Sequence, residues 1–216
     1  MSSIQTVQVV SISTALLASG GIAALTFFDI PLVKSQPASR SLPMIRWLFS
    51  RGSHVFPTAA FLSSSGFAYL AYSALPTGSN NVSTVLQHLV KGKPGLYLLA
   101  GALSIGIAPI TSTMIPTNFA LIKINEELGG SRSAASAKHR AAIGANTRSA
   151  EESVDSKDDN NQWTDLSGPQ EETEKESAKE QDQEVERLLE KFGNLNLLRA
   201  VSIGLGGVVG IIASLA

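Results

Sequence analysis

The chain has 216 residues, 44 % of them hydrophobic and 16 % charged, with no cysteine and a formal net charge of −1. Of the charges, 27 fall within the 69 residues 123–191 and only 8 within the other 147, among which Asp29 is the single acid. A soluble domain spreads its charges over its whole surface, so this partition argues against one. The missing cysteines exclude disulfides, iron–sulfur clusters and thiolate-ligated haem.

Residues 7–28 are uncharged over 22 positions, long enough for one membrane helix, which needs roughly 20 apolar residues. The segment has no positive lead-in and exceeds the roughly 7–15 apolar residues of a signal peptide, so it is read as a retained span. Pro31 ends the helix. Loop 29–54 carries Lys34, Arg40, Arg46 and Arg51. A second uncharged run follows at 55–75. The next loop holds only Lys91 and Lys93, together with a glycosylation sequon at Asn81 that lies too close to the second helix for efficient modification. The third span is 95–122, interrupted by Pro109 and Pro116. The fourth is 192–216.

The expected fold is therefore all-α: an integral membrane four-helix bundle, with 1–122 holding three spans and 192–216 the fourth. A buried soluble bundle would instead show a charged face on each helix, and none does. Lys/Arg counts place loops 29–54 and 123–194 in the cytoplasm. The expected location is the endoplasmic reticulum or another endomembrane. The pairs Gly206/Gly210 and Ala102/Gly106 allow close helix approach, read first as packing within the bundle and second as a homo-oligomer face.

The insert 123–191 is rich in Ser, Glu, Asp, Lys and Gln, and its stretch 129–180 is expected to be disordered. Glu171 and Lys175 are spaced for an i,i+4 pair. Val185, Leu188, Leu189 and Phe192 recur at helical spacing, predicting an amphipathic helix along the membrane surface that leads into the fourth span.

Antiparallel threading brings one end of every span to the same face. Asp29 comes from the first, Arg46, Trp47 and His54 from the second, Thr111 and Asn118 from the third, and Asn196 and Arg199 from the fourth. Singly, each has a structural explanation: Arg46 and Arg51 as positive-inside anchors, Trp47 as an interfacial ring, Arg199 as a snorkelling cation, the asparagines as interhelical bonds. Polar groups from four helices at one mouth favour a site, because such groups are costly near lipid. His88 lies on the opposite face and His139 in the insert. The histidine spacings match no metal motif and no nucleotide-binding glycine motif is present, so neither metal nor nucleotide cofactor is expected, and nucleic acid is not an expected partner.

The four-helix layout, Arg46-Trp47 followed by Gly52 and Pro57, Pro109-x-Thr111, Pro116-x-Asn118 and Asn196-x-x-Arg199 resemble the small membrane family that includes fungal anthrone oxygenases. The resemblance covers all four spans and leaves out the insert. It implies oxidation of an aromatic polyketide, an anthrone such as emodin anthrone, by O₂ with no cofactor. His54 or Asp29 would be the base. Arg46, Arg199, Asn118 and Asn196 would be oxyanion donors, Thr111 would line the site and Trp47 would stack on substrate. The alternative is a non-enzymatic membrane anchor whose charged insert recruits partners.

Overall fold

The computed structural model describes residues 1–76 and 91–216, so the sequon at Asn81 and His88 lie outside the described residues. All regular structure among them is helical: α1 (Ser3–Ala24), a π-helical turn (Leu25–Asp29), α2 (Ile30–Lys34), α3 (Ala38–Ser73), α4 (Gly92–Ile105), α5 (Ile107–Glu127), α6 (Ala134–Ile143), α7 (Ala150–Val154) and α8 (Lys179–Leu215). Three stretches are long and apolar enough to cross a membrane, Ser3–Lys34, Gly92–Glu127 and Lys179–Leu215. The second predicted span is not among them. It forms as helix, but Ser63, Ser64, Ser65 and two tyrosines dilute its hydropathy.

Proline explains the local breaks. Pro31 was expected to end the first helix. Instead the π turn over Leu25–Asp29 absorbs its missing N–H, and Pro31 sits in the first turn of α2. Pro109 cannot donate back to Ile105, and the third span is interrupted at Gly106, whose own N–H closes the preceding turn on Ala102. Pro116 is accommodated inside α5.

The chain divides into two compact units. The first comprises Met1–Ala24, Val55–Ser112 and Asn196–Ala216. Its core is built from small and medium side chains: Ala15, Ala18 and Ile22, Ala60, Phe67 and Leu70, Tyr97 and Ala100, Ala200 and Ile203. Backbones approach closely where glycine permits. A Cβ on Gly206 would lie 2.8 Å from the Ala100 carbonyl, and one on Gly210 would lie 2.5 Å from the Phe67 ring, so both glycines are used in packing within the chain. Polar side chains are satisfied across helices: Ser19 Oγ donates to Ala200 O (2.8 Å), Ser202 Oγ to Leu103 O (2.7 Å) and Gln8 Nε2 to the Tyr97 hydroxyl (2.7 Å).

The second unit comprises Leu25–His54 and Thr113–Leu195. The sequence reads 29–54 as the loop between the first two spans, but from Ala38 it is the first half of α3. Leu42 and Ile45 supply a helical apolar stripe that the interspersed arginines hide from a search for uncharged runs. They pack with Ile30, Val33, Met114, Leu121, Val185, Leu188, Leu189 and Phe192. The predicted helix around 185–192 is present, continuous with the fourth span in α8, and its apolar face is buried in this core.

In place of the expected disorder, residues 129–180 contain α6, α7 and tethered turns. Most of the charges that suggested a solvated linker are exposed, but Arg132, Arg140, Arg148 and Asp159 are turned inward and paired. Arg148 Nη2 lies 2.7 Å from Glu126 and its Nη1 3.2 Å from Asp159. Arg132 lies 3.5 Å from Asp159, and Arg140 3.7 Å from Glu126. Composition counts charges but not their partners. Ser133 caps α6 through Ser136 N, Gly144 ends it in the left-handed conformation, and Ser149 with Glu152 forms a capping box on α7. Glu171 and Lys175 do not form the expected helical pair. Their segment is irregular, Lys175 Nζ donates to Glu127 O (3.0 Å), and Thr173 N donates to Ser39 O (2.8 Å).

Candidate functional site

Within the second unit, one face of α3 carries Arg46, Trp47, Arg51 and His54, and all four meet the insert. Arg46 is buried, and its guanidinium donates from Nη2 to Ser153 O (2.8 Å) and Oγ (3.2 Å). No carboxylate lies within ion-pair distance of it among the described residues. Burial and the nearby positive charge of Arg132, only partly offset by Glu126, push its pKa down to about 10. Trp47 Nε1 donates to Ser167 O (2.9 Å). The Arg51 guanidinium lies 5.3 Å over the Trp47 ring and reaches Gln162 O (3.2 Å) and Ser167 O (3.4 Å).

His54 is half-buried, its ring centroid 3.9 Å from that of Trp163 with the planes 34° apart. Its Nε2 is buried and has no hydrogen-bond partner. Asn118, from α5, has a buried Oδ1 that is likewise unpartnered. Asp29, in the π turn, is half-buried, caps nothing and forms no ion pair with Arg46. Asp165 fixes the turn that holds Trp163. Burial works against its ionised form, but hydrogen bonds from Ser133 and Ser167 outweigh it and hold the carboxyl below its ordinary value.

Within the first unit, Asn196 and Arg199 sit one turn apart on α8 and form a pair. Arg199 Nη1 donates to Asn196 Oδ1 (3.1 Å), and Asn196 Nδ2 donates to Ile22 O (3.3 Å). The Arg199 guanidinium lies 5.9 Å over the Phe56 ring, and its Nε is buried without a partner. Thr111 spends its hydroxyl on the Ile107 carbonyl of its own helix (2.7 Å).

Each unit thus brings together part of the predicted set: Arg46, Trp47 and His54 on one face of α3, and Asn196 with Arg199 on α8. The sequence reading missed the insert's contribution, Ser153, Trp163 and Ser167, together with Phe56 under Arg199. A lone tryptophan in a charged, otherwise aromatic-poor segment was the one available signal. A cavity of about 420 Å³ in the second unit, lined by Glu126, Gly130, Ser131, Arg140, Thr147 and Glu174, includes none of the predicted site residues. Among the described residues, no three His, Asp or Glu side chains are grouped to hold a metal ion.

Residues 46–209 match the family model described as anthrone oxygenase. The match begins at Arg46, takes in the insert that the resemblance left out, and leaves out α1. No curated protein and no solved structure matches the chain. With most of its length matched, from the arginine at the start of the α3 cluster to the glycine-rich turns of α8, this chain belongs to the anthrone oxygenase family.

Proposed function

We propose that this chain is a membrane-bound, cofactor-independent oxygenase that converts an anthrone-type polyketide to its anthraquinone with O₂. Family membership is the observation that carries this reading. The proposed chemistry calls for no resident redox group. An anthrone has an acidic CH₂ between two aryl rings, opposite a carbonyl. Removing one proton gives an electron-rich anion that reduces O₂, and recombination forms a C–O bond as a hydroperoxide. Loss of water from it leaves the new carbonyl. The CH₂ and O₂ thereby become C=O and H₂O, with O₂ the only oxidant.

The protein's tasks are then a base, oxyanion donors and exclusion of water. His54 is our choice for the base, because its Nε2 is unpartnered and shielded by Trp163. Asp29 is the second candidate. Asn118 in one unit and the Arg199–Asn196 pair in the other are the proposed donors, each judged by its own substitution. Arg46, Trp47 and Thr111 are proposed to shape binding, with their hydrogen bonds to Ser153, Ser167 and Ile107 holding them in place. Membrane association is supported by the three apolar helices, and we place the chain in an endomembrane with loops 29–54 and 123–194 cytoplasmic.

The non-enzymatic scaffold reading gains no specific support. Deleting 130–180 would not separate the two readings, because it removes the partners of Arg46, Trp47, Arg51 and His54 and so impairs either role. Point variants do separate them. A pH–rate profile for the wild type, His54→Gln and Asp29→Asn should lose its acidic limb in one variant only. If both keep the wild-type limb, neither residue is the base.

A further inference from the structure

His54 Nε2 is buried without a hydrogen-bond partner, and the indole of Trp163 lies against the imidazole with ring centroids 3.9 Å apart. A general base must come within about 2.6–3.2 Å of the proton that it removes. A nitrogen closed off from solvent is closed off from a substrate as well. Whatever His54 does in a reaction therefore requires its cover to move.

The backbone that carries the cover is tied down on both sides of Trp163. Trp163 N donates to Asn161 Oδ1 (2.9 Å), and Arg51 Nη1 reaches Gln162 O (3.2 Å) from α3. Ser167 Oγ donates to Asp165 Oδ1 (2.7 Å), Ser167 O accepts from Trp47 Nε1 (2.9 Å), and Gly168 O accepts from Ala134 N (3.0 Å). The indole is held far less. Trp163 is 68 % exposed, and among the described residues its ring N–H makes no hydrogen bond and His54 is its one ring partner. Exposed side chains change rotamer within nanoseconds, and an aromatic pair favours its stacked state by about 2- to 10-fold. A mobile ring thus stands on a fixed post, mostly closed and readily opened.

We propose that Trp163 is a side-chain gate: its indole closes over His54 in the free protein and swings off it when a flat aromatic ligand takes its place against the imidazole. The nature of the ligand rests on the oxygenase reading above, whereas the cover over Nε2 does not. Indole and anthrone are both flat π systems, so one can replace the other on the same imidazole face. Trp163 then competes with the ligand, and the observed affinity is the intrinsic affinity reduced by the fraction of molecules with the gate open. With the site empty, the same ring keeps water from the base.

The test uses the full chain in detergent micelles and diethyl pyrocarbonate, which acylates a neutral imidazole chiefly at Nε2, at about pH 8, where an ordinary imidazole is neutral. Peptide mass spectrometry reads acylation of His54 against that of His139, which is exposed on α6. Trp163→Ala should speed acylation of His54 by about 3- to 10-fold, Trp163→Phe should restore most of the protection, and His139 should not change in either. Affinity for an anthraquinone, measured by equilibrium dialysis, should tighten by about the same factor in Trp163→Ala. Unchanged acylation of His54 in Trp163→Ala would overturn the proposal. A matching rise at His139 would mean that the indole holds the insert together rather than gating His54, and would overturn it too. Weaker anthraquinone binding in Trp163→Ala would make the indole part of the ligand's platform, with the same consequence. Faster acylation of His54 alone, with no anthraquinone bound by any variant, would keep the gate over His54 and count against the oxygenase reading instead.

Discussion

Replacing Glu126 by Gln tests why the insert is ordered. The Glu126 carboxylate is buried, accepts from Arg148 Nε (3.2 Å) and Nη2 (2.7 Å), and lies 3.7 Å from Arg140 Nη2. Arg148 has a second anionic partner in Asp159, but that carboxylate is shared with Arg132. Arg140 has no other carboxylate within ion-pair distance among the described residues. The neutral amide therefore keeps the shape and leaves a buried guanidinium without compensation. Breaking a buried pair from one side costs about 3–5 kcal/mol. At 1.36 kcal/mol per decade this is about a 10²- to 10⁴-fold rise in the open population of the insert. Amide hydrogen exchange over α6 and α7 in detergent micelles would read it directly. Glu184→Gln, which breaks an exposed pair with Arg187, serves as the control and should leave exchange unchanged. If Glu126→Gln also leaves it unchanged, the ion network does not order the insert and the account of the second unit is wrong.

Replacing Gly206 by Leu should destabilise the first unit by about 1–3 kcal/mol, because the new side chain meets the Ala100 carbonyl and Ser104. Gly20→Ala, with nothing within 4 Å of the new methyl, should be neutral or stabilising by up to about 1 kcal/mol. Thermal denaturation in detergent compares the two. Asp165, held below its ordinary 3.8, contributes stability that is complete above that value and is lost as pH falls through the lower folded pKa. Exchange in the 160–170 turn should therefore accelerate below about pH 4, and Asp165→Asn should abolish that dependence. As donors, Asn118→Ala and Arg199→Ala should each lower kcat by about 10²–10³ while the protein still accumulates in membranes. Normal turnover in both would reduce these residues to packing roles.

Uncharged runs longer than a bilayer is thick made the apolar helices legible in the sequence. Three of the four expected spans meet the length and hydropathy of a crossing helix, and the serine-rich half of α3 does not. The first half of α3 was hidden because Arg40, Arg46 and Arg51 break up a stripe that is nonetheless apolar at Leu42 and Ile45. Order in the insert could not be read from composition, since Arg148 pairs with Glu126 across 22 positions and Arg46 meets Ser153 across 107. Short-range motifs fared better. Asn196-x-x-Arg199 is one turn of helix, and the pair forms as that spacing implies. The neighbours of His54 and Trp47 come from the insert, where Trp163 alone stands out in the sequence and Ser167 carries no local signature.

The central claim, that this chain oxidises an anthrone with O₂ alone, is tested most directly with purified protein in lipid vesicles treated with chelator. An anthrone is supplied under isotopically labelled O₂, and the quinone is followed by absorbance and mass. The account predicts quinone formation well above the uncatalysed rate, one labelled oxygen in the product, and loss of that rate in His54→Gln or Arg199→Ala. A rate equal to the protein-free control, or activity that vanishes on chelation and returns with a single added metal, would contradict it.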